Sequence, residues 1–260
     1  MTLDRKHDFS DFGGWTYLNC AFHGPLPRVA REALEAAIEL RENPQWTRNE
    51  YHFTLPDAYR RAVARLIRCE PADVAVTDST THGMMLLVSG LDWRAGDNVV
   101  IPTREFPANK LPWLSLESSG VEVRQVELPP TAQGVAEALE AAIDERTRVV
   151  SVAWVSFLNG RRLDVETIGR LCRNRGVLFA VDASQGIGGL PFDLGRIPAD
   201  LVACSGYKWL LGPYGLGFAW VAPELAARLT PVNVNWFSAV GAADFNRLAE
   251  LPHRFREGAH

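Results

Sequence analysis

Apolar residues along this chain follow two different periods. They recur at the three-to-four-residue spacing of an amphipathic helix over 29–42, 58–67, 135–144 and 165–175. Between these lie short apolar runs at 98–101, 121–127, 148–155, 177–181 and 201–204, rich in β-branched side chains. Runs of that kind suit strands buried on both faces. Helix and strand therefore alternate, which predicts an α/β fold with a mostly parallel sheet and helices on both faces. The run at 215–222 follows 201–204 too closely for a helical crossover. It is expected to lie antiparallel, or to be reached through an irregular loop. Ligands of such sheets collect beyond the carboxyl ends of the strands, so the residues just after each run are the ones to inspect.

Composition narrows the class. With 260 residues, 47% hydrophobic and 22% charged, the chain has material for one large core and does not read as disordered. A net charge of -4 with both signs interspersed offers no basic stripe for nucleic acid. No apolar run is long enough to span a membrane and the N-terminus lacks a signal-peptide core, so a cytoplasmic protein is expected. Cys20, Cys69, Cys172 and Cys204 are scattered without ligand spacing, which argues against both a disulfide framework and a metal site.

The candidate chemistry sits at the strand ends. The run VLFAVDASQG closes on Asp182, with Gln185 three residues on. A carboxylate at the edge of a buried sheet is expensive unless it meets a cation; capping a helix is the simpler alternative for Asp182. In DLVACSGYKWLLGPYGLGF, Lys208 follows a strand directly and precedes Trp209, Leu210 and Leu211. Apolar neighbours lower an amine's pKa and make it nucleophilic, and such a lysine forms a Schiff base. Asp182 and Lys208 suit opposite sides of pyridoxal phosphate, the carboxylate keeping the pyridine nitrogen protonated while the amine holds the aldehyde. In TDSTTHGMMLL, Ser79, Thr80, Thr81 and Gly83 lead straight into an apolar helical segment, an anion cradle for the phosphate.

With those residues in place, the sequence resembles the class V aminotransferase family of pyridoxal-phosphate enzymes, which contains cysteine desulfurases, kynureninase and isopenicillin N epimerase-like proteins. YLNCAFHGPLPRVA resembles the family's entry segment, DSTTHGMMLL its phosphate loop and EFPANKLPW its ring-stacking loop. VSFLNGRRLDVETIGRLCRNRGVLFAVDASQGIGGLPFDL and DLVACSGYKWLLGPYGLGF resemble its central signature. The resemblance implies the large domain of fold type I, with a mostly parallel seven-stranded sheet. It implies an entry segment over 1–25, a cofactor-binding domain over 26–235, and the start of a truncated C-terminal region over 236–260, the small domain being absent and the chain expected to be a fragment or a natural short form.

By the same resemblance, Lys208 carries the cofactor and shuttles the substrate α-proton, Asp182 pairs with the pyridinium nitrogen, and Gln185 donates to the phenolic oxygen. Thr80, Thr81 and Ser205 fall at the phosphate. Phe106 takes the ring-stacking position where desulfurases use His. Tyr207 stands where many relatives bind phosphate with His, Ser156 near the cofactor, and His23 toward the substrate. Phe157 replaces an Asn of the desulfurases. The implied activity is a reaction at the α-carbon of an amino acid by a homodimer, with transamination, epimerisation and elimination left open. Phe106 and a terminal segment without cysteine weigh against desulfuration. The alternatives are a cysteine desulfurase and, from another class, a non-catalytic cofactor-binding or interaction protein. A nucleotide-binding doubly wound domain would carry G-x-G-x-x-G after its first strand, and this sequence does not.

Overall fold

The computed structural model describes residues 5–231 together with 233–238, 241–242 and 244. A helical turn, α1 (Arg5–Asp8), precedes an irregular entry segment and two long helices, α2 (Arg28–Glu42) and α3 (Tyr51–Ile67). Then come β1 (Val74–Thr77), α4 (Thr80–Gly90), β2 (Asn98–Pro102), the turn α5 (Leu111–Leu114), β3 (Glu122–Val126) and α6 (Ala132–Ala142). The chain continues through β4 (Thr147–Ala153), α7 (Val165–Arg175), β5 (Leu178–Asp182), β6 (Leu201–Ser205), β7 (Gly217–Val221) and the turn α8 (Pro223–Ala226). Most of the region expected to begin the C-terminal part lies outside the described residues.

The seven strands form one sheet in the order β1-β7-β6-β5-β4-β2-β3. β2, β3, β4, β5 and β6 pair in parallel, whereas β7 runs antiparallel to both β6 and β1, as the short 204-to-215 connection requires. Successive strand residues point to opposite faces. Val100, Val150, Val152, Phe179 and Val202 therefore bury one way, against Ile67 of α3, Leu139 of α6 and Ile168 of α7. Val99, Ile101, Val149, Ala180 and Ala203 bury the other way, against Met84 and Leu87 of α4 and against Trp113. Both faces are covered over the inner strands, which read as continuous apolar runs; β3, expected to be buried on both faces, is instead an edge strand with none of its five residues buried.

α7 occupies the span its periodicity predicts, because Asp164 caps it: Oδ1 accepts the Thr167 N–H at 3.1 Å. α3 is longer than the 58–67 reading. It starts at Tyr51 and runs through Pro56, which has no N–H to donate to the helix. β1 has no counterpart among the apolar runs. Only its end residues, Val74 and Thr77, are buried at the sheet edge, which leaves a weak pattern to read.

Candidate active site

A cavity of about 190 Å³ opens at the carboxyl ends of β4, β5 and β6. The strand ends deliver Asp182, Ser205 and Ala153 to it, and the loop after β6 delivers Tyr207 and Lys208. The N-terminus of α4 contributes Ser79, Thr80 and Thr81, and the loop after β2 contributes Phe106. Gln185 lies on its wall, together with Ser184, Phe157 and Tyr214.

Lys208 is only 6% exposed. Its amine forms no hydrogen bond or ion pair among the described residues, and stands 5.0 Å from the Phe106 ring centroid and 5.7 Å from that of Tyr207. Burial lowers its pKa, against the attraction of Asp182. Asp182 is buried in turn; its Oδ1 accepts the Ser184 N–H at 2.9 Å. Burial raises its pKa, more than Ser184 and Lys208 can offset. An amine biased toward its neutral, nucleophilic form and a carboxylate lacking a close cation thus share one cavity.

At the opposite wall the Ser79 side chain caps α4 by accepting the His82 N–H at 3.2 Å. Three buried hydroxyls stand behind that terminus. Thr80 Oγ1 lies 2.5 Å from Ser184 Oγ and 2.9 Å from Ser205 Oγ, and the Thr80 N–H donates to Ser205 Oγ at 3.2 Å. They tie α4 to the ends of β5 and β6 and border a helix start whose N–H groups and dipole favour an anion. Asp78 also borders the cavity; its carboxylate accepts from Ser79 Oγ at 2.6 Å and lies 3.5 Å from His82 Nδ1.

The Lys208 loop is held from both sides. The Gly24 N–H of the entry segment donates to Tyr207 O at 2.9 Å, and a Cβ on Gly24 would lie 2.0 Å from Lys208 O, so only glycine lets the two backbones meet. Leu211, with φ +58°, closes the turn in a conformation that non-glycine residues seldom adopt.

Of the residues proposed from sequence, Lys208, Asp182, Thr80, Thr81, Phe106, Gln185, Ser205 and Tyr207 come together on this one cavity. Ser156 does not; it faces a neighbouring cavity of about 370 Å³, and its Oγ accepts the Leu158 N–H at 3.2 Å. His23 stands at the rim, its ring centroid 5.0 Å from that of Tyr207 and stacked 5.9 Å from that of Tyr214. Among the wall residues, Asp78, Ser184 and Tyr214 escaped the sequence reading. Ser184 carries a signal in its place two residues after Asp182, and Tyr214 in its place within the glycine-rich turn after Lys208. A further group, Glu105, borders the neighbouring cavity and accepts the Ala153 N–H at 2.8 Å. Burial raises its carboxyl to about 7. Among the described residues, no group of three or more His, Cys, Asp or Glu side chains has a metal-binding arrangement, and no helix is long and apolar enough to cross a membrane.

The fold and the strand-end cavity define a protein of the pyridoxal-phosphate enzyme class. The sequence model of the family Aminotransferase class-V matches residues 33–260. The chain belongs to the class V aminotransferase family, whose members are pyridoxal-phosphate-dependent enzymes. A probable cysteine desulfurase of Methanothermobacter thermautotrophicus is 32% identical over 99% of this chain and 66% of its own length. Isopenicillin N epimerase of Streptomyces clavuligerus is 33% identical over 84% of this chain and 56% of its own. Among solved structures, a variant of C-DES with glycine covalently linked to its pyridoxal-phosphate cofactor superimposes with TM-score 0.87 at 27% identity, covering 99% of this chain and 68% of that one. The cystine C–S lyase C-DES in complex with its product cysteine persulfide gives TM-score 0.83 at 27% identity, covering 95% and 66%. The chain thus spans between about half and two-thirds of the length of these relatives.

Proposed function

We propose that this chain binds pyridoxal phosphate covalently through Lys208 and acts at the α-carbon of an amino acid. One observation carries the reading: a buried, unpaired amine and a buried carboxylate share a cavity with the start of a capped helix. Those donors match the three demands of the cofactor, an amine for the aldehyde, an anion for the ring nitrogen and N–H groups for the phosphate.

When bound, the cofactor supplies an aldehyde that condenses with amines and a cationic ring that accepts the electron pair left at the α-carbon. The protein supplies the rest. Asp182 holds a positive charge at the ring nitrogen, which also relieves the cost of its own burial. Thr80, Thr81 and Ser205, with the α4 N-terminus, hold the phosphate, Tyr207 lying beside them. Phe106 would cover the cofactor ring, and the amide of Gln185 would donate to its phenolic oxygen. Lys208 Nζ would accept the α-proton of the substrate, a task suited to an amine whose pKa burial has lowered. His23 at the rim meets the substrate. Phe106 has no titratable proton, so a protic role facing Lys208 falls to other groups.

The reading extends to a cytoplasmic homodimer in which residues 26–235 form the cofactor domain, as the family likeness suggests. Which amino acid is taken, and whether transamination, epimerisation or elimination follows, is the object of the test. The cofactor-loaded protein is incubated in deuterium oxide with a panel of amino acids, and α-proton exchange is followed by NMR. Exchange in at least one amino acid, lost in Lys208→Ala, supports the reading. Full cofactor loading without exchange in any of them supports the non-catalytic alternative.

A further inference from the structure

Gln185 makes two hydrogen bonds that together leave its amide one orientation. Trp209 Nε1 donates to Gln185 Oε1 at 2.9 Å, and Gln185 Nε2 donates to Ala21 O at 2.9 Å. An indole N–H only donates and a backbone carbonyl only accepts. Rotating the amide by half a turn would set donor against donor and acceptor against acceptor, so the assignment of oxygen and nitrogen is fixed by its partners rather than by preference. Nε2 keeps a second N–H, and Gln185 borders the Lys208 cavity.

Trp209 is itself held. It follows Lys208 directly, and the turn after Gln185 packs on its backbone: Gly188 has φ +99°, and a Cβ there would lie 2.3 Å from Trp209 O. The Gly189 backbone meets the indole ring, where a Cβ would lie 3.1 Å from Cε3. The indole therefore joins the entry segment, the Asp182–Gln185 turn and the Lys208 loop through one amide.

We propose that Trp209 is a positioning residue that locks the Gln185 amide with its free N–H available to an acceptor oxygen of the bound cofactor. The inference rests on the proposed function, since it assigns the recipient of that N–H. A donor held on an oxyanion stabilises the deprotonated form. Without Trp209 only the Ala21 carbonyl anchors the amide, and part of that stabilisation is lost to unproductive orientations.

The test uses Trp209→Phe, which keeps an aromatic ring and removes the donor. In the cofactor-loaded protein, the pH at which the visible absorbance of the bound cofactor titrates is expected to rise by about half a unit or more. In a Gln185→Ala background the same substitution is expected to add no shift, because the residue through which Trp209 acts is gone. An unchanged midpoint in Trp209→Phe overturns the proposal, and so does an equal shift in both backgrounds. A readout on cofactor-free protein separates this from the reading beneath it. The indole N–H resonance absent from Trp209→Phe identifies Trp209, and its solvent exchange is expected to accelerate in Gln185→Ala. Unaltered exchange contradicts the hydrogen bond itself, whatever the cofactor does. Failure of the wild-type protein to attach the cofactor at Lys208, with the exchange result as expected, overturns both the proposed function and the assignment of the Gln185 recipient.

Discussion

The Lys208 amine stands 5.0 Å from the centroid of the Phe106 ring, and that ring meets Phe157 edge-on at 5.1 Å. The pair forms an apolar wall facing the one buried lysine of the cavity. Such a wall keeps water from the amine and biases it toward the neutral form.

Phe106→Ala opens that wall. Aromatic contacts of this kind contribute about 0.5–1.5 kcal/mol beyond area burial, so the dissociation constant for pyridoxal phosphate should rise about 2- to 10-fold. Equilibrium dialysis checks it. Retention equal to the wild type would remove Phe106 from the cofactor site.

Asp182→Asn separates stability from function. Burial raises the folded-state pKa of Asp182 above its unfolded value. The folded, cofactor-free protein therefore binds a proton that the unfolded chain releases, and stability falls as pH rises from the ordinary carboxylate range through the folded-state value. The neutral amide should make cofactor-free protein more heat-stable than wild type at pH 7, with the difference shrinking in acid. The same variant should retain cofactor yet lose turnover by on the order of 10²-fold or more, because no anion faces the ring nitrogen. Thermal unfolding across pH and the exchange assay read the two effects.

Glu105→Gln addresses the second buried carboxyl. Raised from 4.5 to about 7, the carboxyl contributes stability that is fully present below pH 4.5 and lost by the time pH passes 7. A shift of that size corresponds to about 3 kcal/mol. Removing the titration should flatten this part of the stability profile, while the amide oxygen still accepts the Ala153 N–H. Chemical denaturation between pH 4.5 and 8 measures the slope, and an unchanged slope would show that Glu105 is ionised throughout.

How far the sequence discloses such a site depends on where each residue's signal lies. Asp182 and Lys208 are legible because each ends or follows an apolar run, and the sheet must bring strand ends together; Thr80 is legible because it leads into an apolar helical segment. The antiparallel β7 is legible from a connection too short for a crossover. Ser156 shares that strand-end signal, yet the backbone turns after β4 and points it to the adjoining cavity. Ser184 shows only in its place after Asp182, its bond to distant Thr80 being hidden, and Glu105 is not legible, since its part depends on burial and on distant Ala153. β1 is hidden for another reason: a four-residue edge strand has too few buried positions to show a period.

Gly24→Ala tests the seam between the entry segment and the lysine loop. A Cβ 2.0 Å from Lys208 O cannot be accommodated without parting the backbones, which costs about 1–3 kcal/mol. Loss of the Gly24-to-Tyr207 hydrogen bond should release the entry segment, speeding protease cleavage within residues 9–23 and weakening cofactor binding about tenfold. Cleavage at the wild-type rate would contradict the seam.

The central claim is that Lys208 Nζ is the group that takes up pyridoxal phosphate, and it has a direct measurement. The protein is mixed with the cofactor, reduced with borohydride, digested and mapped by mass spectrometry. A single phosphopyridoxyl adduct on the peptide containing Lys208, absent in Lys208→Ala, is the predicted result. Labelling at Lys6 or Lys110 instead, or no labelling at all, would contradict it.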